Sequence, residues 1–92
     1  DGLRALVGVR NFELIRRHVR QVVTVDDERI RAAMRLAWRH LRLLIEPSSA
    51  VVLAAIAAER DLFQGKRVGA ILSGANIAPE DWVALTRGDA GP

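Results

Sequence analysis

Gly65-Lys66-Arg67-Val68-Gly69-Ala70-Ile71-Leu72-Ser73-Gly74-Ala75-Asn76-Ile77-Ala78-Pro79-Glu80 is the stretch whose reading decides the fold. Val68 to Leu72 is apolar or glycine throughout, the pattern of a strand covered on both faces, as in a parallel sheet. Ser73-Gly74-Ala75-Asn76 then stops the run with a hydroxyl, a flexible backbone position and a carboxamide. In open α/β sheets ligands sit in the crevice beyond the carboxyl ends of the strands, so this turn is placed to face one. The same residues are also ordinary turn chemistry, and alone they name no ligand.

Outward from this stretch, Pro79 at a first helical position opens a short helix ending near Arg87, and Gly88 to Pro92 reads as a flexible tail. On the other side, the pattern predicts a helix from about Ser49 to Arg60 that is apolar all round, and such a helix is buried on most sides. Glu46-Pro47-Ser48-Ser49 breaks the chain before it. Asp27 to about Leu41 has a helical period, with Ile30, Ala33, Met34, Ala37, Trp38 and Leu41 in the apolar stripe and Arg31, Arg35, Arg39 and Arg42 outside. Asp26 is its expected N-cap, and Asp27 and Glu28 put negative charge in the first turn. Gln21 to Val25 is β-branched enough for a short strand. Asn11 is predicted to cap a helix over Phe12 to Val19, with Phe12, Ile15 and Val19 on one side, and Asp1 to Gly8 reads as a loop.

The element order is α/β. Two strands do not make a stable twisted sheet, and the second strand and the helix around Ala50 need neighbours the chain does not supply. Ninety-two residues allow at most one small domain, and a start at Asp1 rather than methionine reads as a fragment or a processed chain. Without cysteine there is no disulfide framework, thiolate metal site or cysteine nucleophile, which is compatible with a reducing, cytoplasmic setting. The net charge of +3 comes from thirteen arginines and one lysine, Lys66, against eleven acids. The longest apolar run, Ala50 to Ala58, is nine residues, short of the ~20 needed to cross a bilayer, so no membrane span is expected. His18 and His40 have no partner at metal-ligand spacing, and no catalytic triad, carboxylate pair or P-loop can be assembled. Neither a metal site nor a catalytic residue is expected within the chain.

Three stretches together carry a resemblance: Asp1-Gly2-Leu3-Arg4, Ile45-Glu46-Pro47-Ser48-Ser49-Ala50 and Ile71-Leu72-Ser73-Gly74-Ala75-Asn76. In this order and at these spacings the chain resembles the C-terminal part of the pyridoxal-phosphate-dependent serine/threonine dehydratases and serine racemases, enzymes of fold type II. Val23 to Ile30 and Met34 to Trp38 are similar to the family's intervening segment. The resemblance implies that residues 1–87 are the C-terminal part of the large domain of such an enzyme. There, helices pack on a mostly parallel doubly wound sheet, and the piece is incomplete on its own.

What it implies for the site is specific. The cofactor is pyridoxal 5'-phosphate, and Ser73 would hydrogen-bond its pyridine nitrogen. A neutral hydroxyl there does not hold the nitrogen protonated, which makes the ring a milder electron sink. Gly74 follows in the same turn, Glu46 lies near the ring, and Gly2 passes close to the cofactor face where a side chain would clash. Asn76 and Arg42 match positions that contact a nucleotide effector in the racemase branch, with Arg42 replacing a lysine. Ala75 replaces a second glycine of the turn, which should tighten it, and Ala5 stands where many relatives carry a small hydroxyl residue. The Schiff-base lysine, the phosphate-cradling loop and the metal segment are implied to lie upstream of Asp1, so the chain alone should be inactive. Lys66, at the entry end of the strand, is expected to be an exposed cation.

The implied activity is that of an L-threonine or L-serine ammonia-lyase, giving a 2-oxo acid and ammonia. A serine racemase or a 3-hydroxyaspartate dehydratase would look nearly the same here. The implied partners are a small hydroxy amino acid, the rest of the parent enzyme and, in the intact protein, a second copy in a dimer. From a different class, the arginines Arg31, Arg35, Arg39 and Arg42 with Arg16, Arg17 and Arg20 could make a small nucleic-acid-binding domain by neutralising phosphates. Acids are interspersed among them, neither Trp38 nor Trp82 is flanked by a basic stacking surface in sequence, and no binding motif accompanies them, so nucleic acid is not expected as a partner.

Overall fold

Asp26 starts the longest helix of the chain. Its Oδ1 accepts the Arg29 backbone N–H at 2.8 Å, satisfying one of the donors a helix N-terminus leaves without a partner, while Asp27 and Glu28 occupy the first turn, where the helix dipole favours acids. The computed structural model describes residues 6–87. They form α1 (Val9–His18), α2 (Asp27–Leu41), α3 (Pro47–Ala58), α4 (Arg60–Phe63) and α5 (Pro79–Arg87). The predicted tail, residues 88–92, lies outside the described residues, as do Gly2 and Ala5.

Helices α2 and α3 pack against each other, α5 lies against α2, and α4 continues beside α3. The core is a single cluster of Ala33, Met34 and Ala37 from α2, Ile45 from the link, and Ala50 and Ala54 from α3. Ile30, Leu53, Leu72, Ile77 and Trp82 are partly buried around it. The predicted stripe of α2 is thus inward at its centre, while Trp38 and Leu41 at its C-terminal end are exposed. Arg35, expected outside, is half-buried and donates from Nη1 to the Thr86 carbonyl at 3.1 Å, tying α2 to α5. Trp38 and Trp82 add an edge-to-face contact, centroids 6.2 Å apart.

Residue 42 closes α2 in an uncommon way. Arg42 has φ 56° and ψ 39°, the left-handed conformation usually given to glycine after a helix, and its N–H reaches the Trp38 carbonyl at 3.0 Å. Its guanidinium also donates to the Trp38 carbonyl at 3.3 Å and lies 5.9 Å from the Trp38 ring centroid. The chain reversal at residue 42 thus gives Trp38 a basic stacking partner within the fold.

Helix α3 begins at Pro47 rather than near Ser49, because proline's fixed φ suits a first helical position. It is buried at Ser49, Ala50 and Ala54 and half-buried at most other positions, as its all-round apolarity requires. After α4, Gln64 (φ −59°, ψ 132°) and Gly65 (φ 77°) make a type II turn closed by Lys66 N–H to the Phe63 carbonyl at 3.0 Å.

Two expectations are corrected. The segments 21–25 and 67–72 are not strands: among the described residues no strand is present. A ladder needs a neighbour to accept its N–H groups, and here neither run has one. Ile71 is 79% exposed and Val68 44%, so the apolar run predicted to be covered on both faces lies largely open. Likewise α1 is capped by Gly8, three residues before Asn11, and among the described residues no other helix packs on it, leaving Phe12 and Val19 exposed. These open segments agree with a radius of gyration of 14.4 Å, above the about 12 Å of a compact domain this long.

Arg42 and Met34 offer direct checks. Arg42→Gly removes a left-handed penalty of about 1–2 kcal/mol and forfeits a guanidinium–ring contact worth about 0.5–1 kcal/mol, so stability should hold or rise. Arg42→Ala keeps the penalty and loses the contact, and urea unfolding should rank it below Arg42→Gly; the reverse order would rule out a left-handed cap. Met34→Ala, which truncates the bulkiest fully buried side chain, should cost about 2–5 kcal/mol.

Candidate functional site

Glu46 stands at the N-cap of α3, yet its side chain makes no capping bond to its own helix. The carboxylate reaches across instead. Oε1 accepts the Asn76 backbone N–H at 3.2 Å, and Oε2 accepts the Ser48 hydroxyl at 3.0 Å. The main chain adds two longer links: Glu46 N–H to the Gly74 carbonyl at 3.4 Å, and Gly74 N–H to Ser49 Oγ at 3.5 Å. The Ser49 side chain is fully buried, so its acceptor is held by packing. Ile77 N–H to the Ala75 carbonyl at 2.8 Å is a three-residue turn that sends the chain on to α5. The Glu-Pro-Ser-Ser and Ser-Gly-Ala-Asn segments singled out in the sequence are therefore one structural unit.

Gly74 is not demanded by its φ, which is not in the left-handed region. It is demanded by space: a Cβ there would overlap Glu46 Oε1 and stand 3.0 Å from the Glu46 carboxyl carbon. Ala75 also has an ordinary φ, so alanine takes the place of a second glycine without backbone strain.

The structure brings Glu46, Gly74 and Asn76 together. Beside them opens a cleft of about 700 Å³ whose wall includes Glu46, Ser48, Asn76, Ile77, Asp81 and Leu85. Ser73 adjoins this unit without lining the cleft; it is exposed, and its hydroxyl has no hydrogen-bond partner among the described residues. Asn76 uses its backbone N–H on Glu46, and its exposed carboxamide has no partner among them either. Arg42 is elsewhere, stacked on Trp38. Lys66 is exposed and lines a separate cleft of about 450 Å³ with Arg20, Phe63 and Arg67. Ser49 and Asp81 are not among the site residues expected from the sequence: Ser49's only signal is its place in the Glu-Pro-Ser-Ser run, and Asp81 has none beyond its charge in the first turn of α5. Among the described residues no group of three or more His, Cys, Asp or Glu could hold a metal, and no helix is long and apolar enough to cross a membrane.

Comparison with known proteins supplies the context. A beta-hydroxyaspartate dehydratase of Paracoccus denitrificans (strain Pd 1222) is 43% identical over 77 residues, 84% of this chain and 24% of that protein. A serine racemase of Dictyostelium discoideum is 40% identical over 79 residues, with the same two shares. A phenylserine dehydratase of Ralstonia pickettii is 43% identical over 67 residues, 72% of this chain and 21% of that protein. The chain thus spans about a quarter of the length of these relatives. No solved structure matches it. The family described as "Pyridoxal-phosphate dependent enzyme" matches residues 1–74, a span that ends on Gly74, and the chain belongs to that pyridoxal-phosphate-dependent family.

Proposed function

We propose that this chain is part of an ammonia-lyase that converts a β-hydroxy α-amino acid to a 2-oxo acid and ammonia, with L-threonine or L-serine as substrate. The observation that carries this reading is the Ser73 hydroxyl, exposed and uncommitted beside a turn that Glu46 and Ser49 hold from behind. That hydroxyl can donate to or accept from a ring nitrogen, so the residues present fit the family's cofactor. When bound, pyridoxal phosphate supplies an electron sink that eases loss of the α-proton and departure of the β-hydroxyl. Ser73 would bind the pyridine nitrogen and, being neutral, leave it unprotonated. Gly74, Gly2 and Glu46 would border the pocket, and Asn76 and Arg42 would be contacts for a nucleotide effector.

Residues 1–87 are read as the C-terminal part of the enzyme's large domain, acting in the cytoplasm. The remainder of the parent enzyme would supply the lysine that moves the α-proton, the loop that cradles the phosphate and the strands that cover Val68 and Ile71. The intact protein is read as a dimer. A second reading, a 3-hydroxyaspartate dehydratase, is favoured by the names of two relatives, the Paracoccus protein and an L-threo-3-hydroxyaspartate ammonia-lyase of Pseudomonas sp, 32% identical over 82 residues. Serine racemase is the third.

Assay of the full-length protein separates these readings. Ammonia and 2-oxo acid should form from L-threonine or L-serine faster than from 3-hydroxyaspartate; the opposite order selects the second reading, D-serine as main product the third, and no turnover of any of them defeats all three. Ser73→Ala in that protein should lower kcat/KM about 10- to 100-fold, the worth of one hydrogen bond to a polar cofactor atom. The 92-residue chain alone should leave the visible absorbance of added cofactor unchanged.

A further inference from the structure

We propose that Glu46 is a positioning residue whose carboxylate clasps the Ser73–Asn76 turn, and that residue 74 is glycine because the clasp occupies its side-chain space. Three observations meet here. First, the carboxylate of an N-cap residue normally accepts a backbone N–H of its own helix, and this one accepts none there. Second, it is satisfied on both oxygens, by the Asn76 N–H and the Ser48 hydroxyl, which fixes it from two directions. Third, the three nearest atoms a Cβ at Gly74 would meet are all from Glu46: the carboxylate Oε1, the carboxyl carbon and Cγ.

The third observation separates a clasp from simple crowding. The far end of a glutamate is flexible, so an alanine at 74 could be housed by swinging the carboxylate aside. The loss would then fall on the Asn76 N–H, which would lose its charged acceptor. Gly74→Ala should therefore act by undoing the same bond that Glu46→Ala removes. For the site, the carboxylate holds the main chain at Asn76 while the Glu46 N–H meets the Gly74 carbonyl, next to Ser73. This part rests on the proposed cofactor role of Ser73; the clasp itself does not.

The test uses the full-length protein as wild type, E46A, E46Q, G74A and the E46A/G74A double variant, read by hydrogen exchange and by titration with pyridoxal phosphate. Amide exchange in the peptide spanning residues 73–77 should quicken about tenfold in E46A, with the α2 peptide unchanged. Tenfold corresponds to about 1.4 kcal/mol, near the low end for a hydrogen bond to a charged group. E46Q keeps an acceptor oxygen and should shift exchange and cofactor affinity only two- to threefold, by about a third of the E46A effect. G74A should match E46A, and the double variant should be no worse than either, a non-additivity expected of residues sharing one contact. Cofactor affinity should fall about tenfold in E46A and G74A alike.

Unchanged exchange in E46A, or a double variant that sums the two single effects, overturns the clasp. Faster exchange with undiminished cofactor affinity overturns its service to Ser73. A wild-type protein that binds no cofactor defeats the functional reading instead, and exchange alone then decides the clasp.

Discussion

The packing of α2 on α3 through small side chains is the constraint on which the other contacts depend. Ala33, Ala37, Ala50 and Ala54 bring little surface each, and Met34, unbranched and adaptable, fills the space they leave. Interiors are packed to near-crystalline density, so this contact fixes α3 relative to α2 with little latitude. From that pair the rest follows. The first turn of α3 carries Glu46 to the place where residues 73–76 pass, and the far edge of α2 receives α5 through Arg35 and the Trp38–Trp82 pair. The site is positioned by a core of six residues lying behind it.

Much of this framework was legible in local sequence. The bounds of α2 follow from Asp26 and a clean period, α5 follows from Pro79, and the burial of α3 follows from its lack of a polar face. Helices close their hydrogen bonds within themselves, so local signals suffice. Strands do not, and apolar residues at 68–72 announce a need for cover without ensuring that cover is present. The helical period puts Arg35 on the outer side of α2, although its long side chain can lie along apolar surface and reach a carbonyl. Gly8 replaced Asn11 as the cap of α1 because that helix extends one turn further than its apolar pattern.

The site was legible by motif and opaque in mechanism. Glu46, Ser73, Gly74 and Asn76 stand out as residue types, but the meeting of Glu46 with Gly74 is a tertiary event between positions 28 apart. At Gly65 the glycine supplies the left-handed φ its turn requires. At Gly74 the missing Cβ serves a neighbour's carboxylate instead. Arg42 shows the converse, a bulky residue in a glycine conformation, compensated by its contacts to Trp38.

The type II turn at Gln64-Gly65 sits at the tip of an excursion whose two ends, Glu46 and Gly74, are already joined by a main-chain hydrogen bond. Doubling the length of a flexible loop costs only about 0.6 kcal/mol in closure entropy, while the register at the joined ends is set by Glu46 and Ser49. The exposed reversal at Gly65 is accordingly where this chain can absorb inserted residues, or a grafted peptide tag, and still deliver residues 73–76 to the same spot.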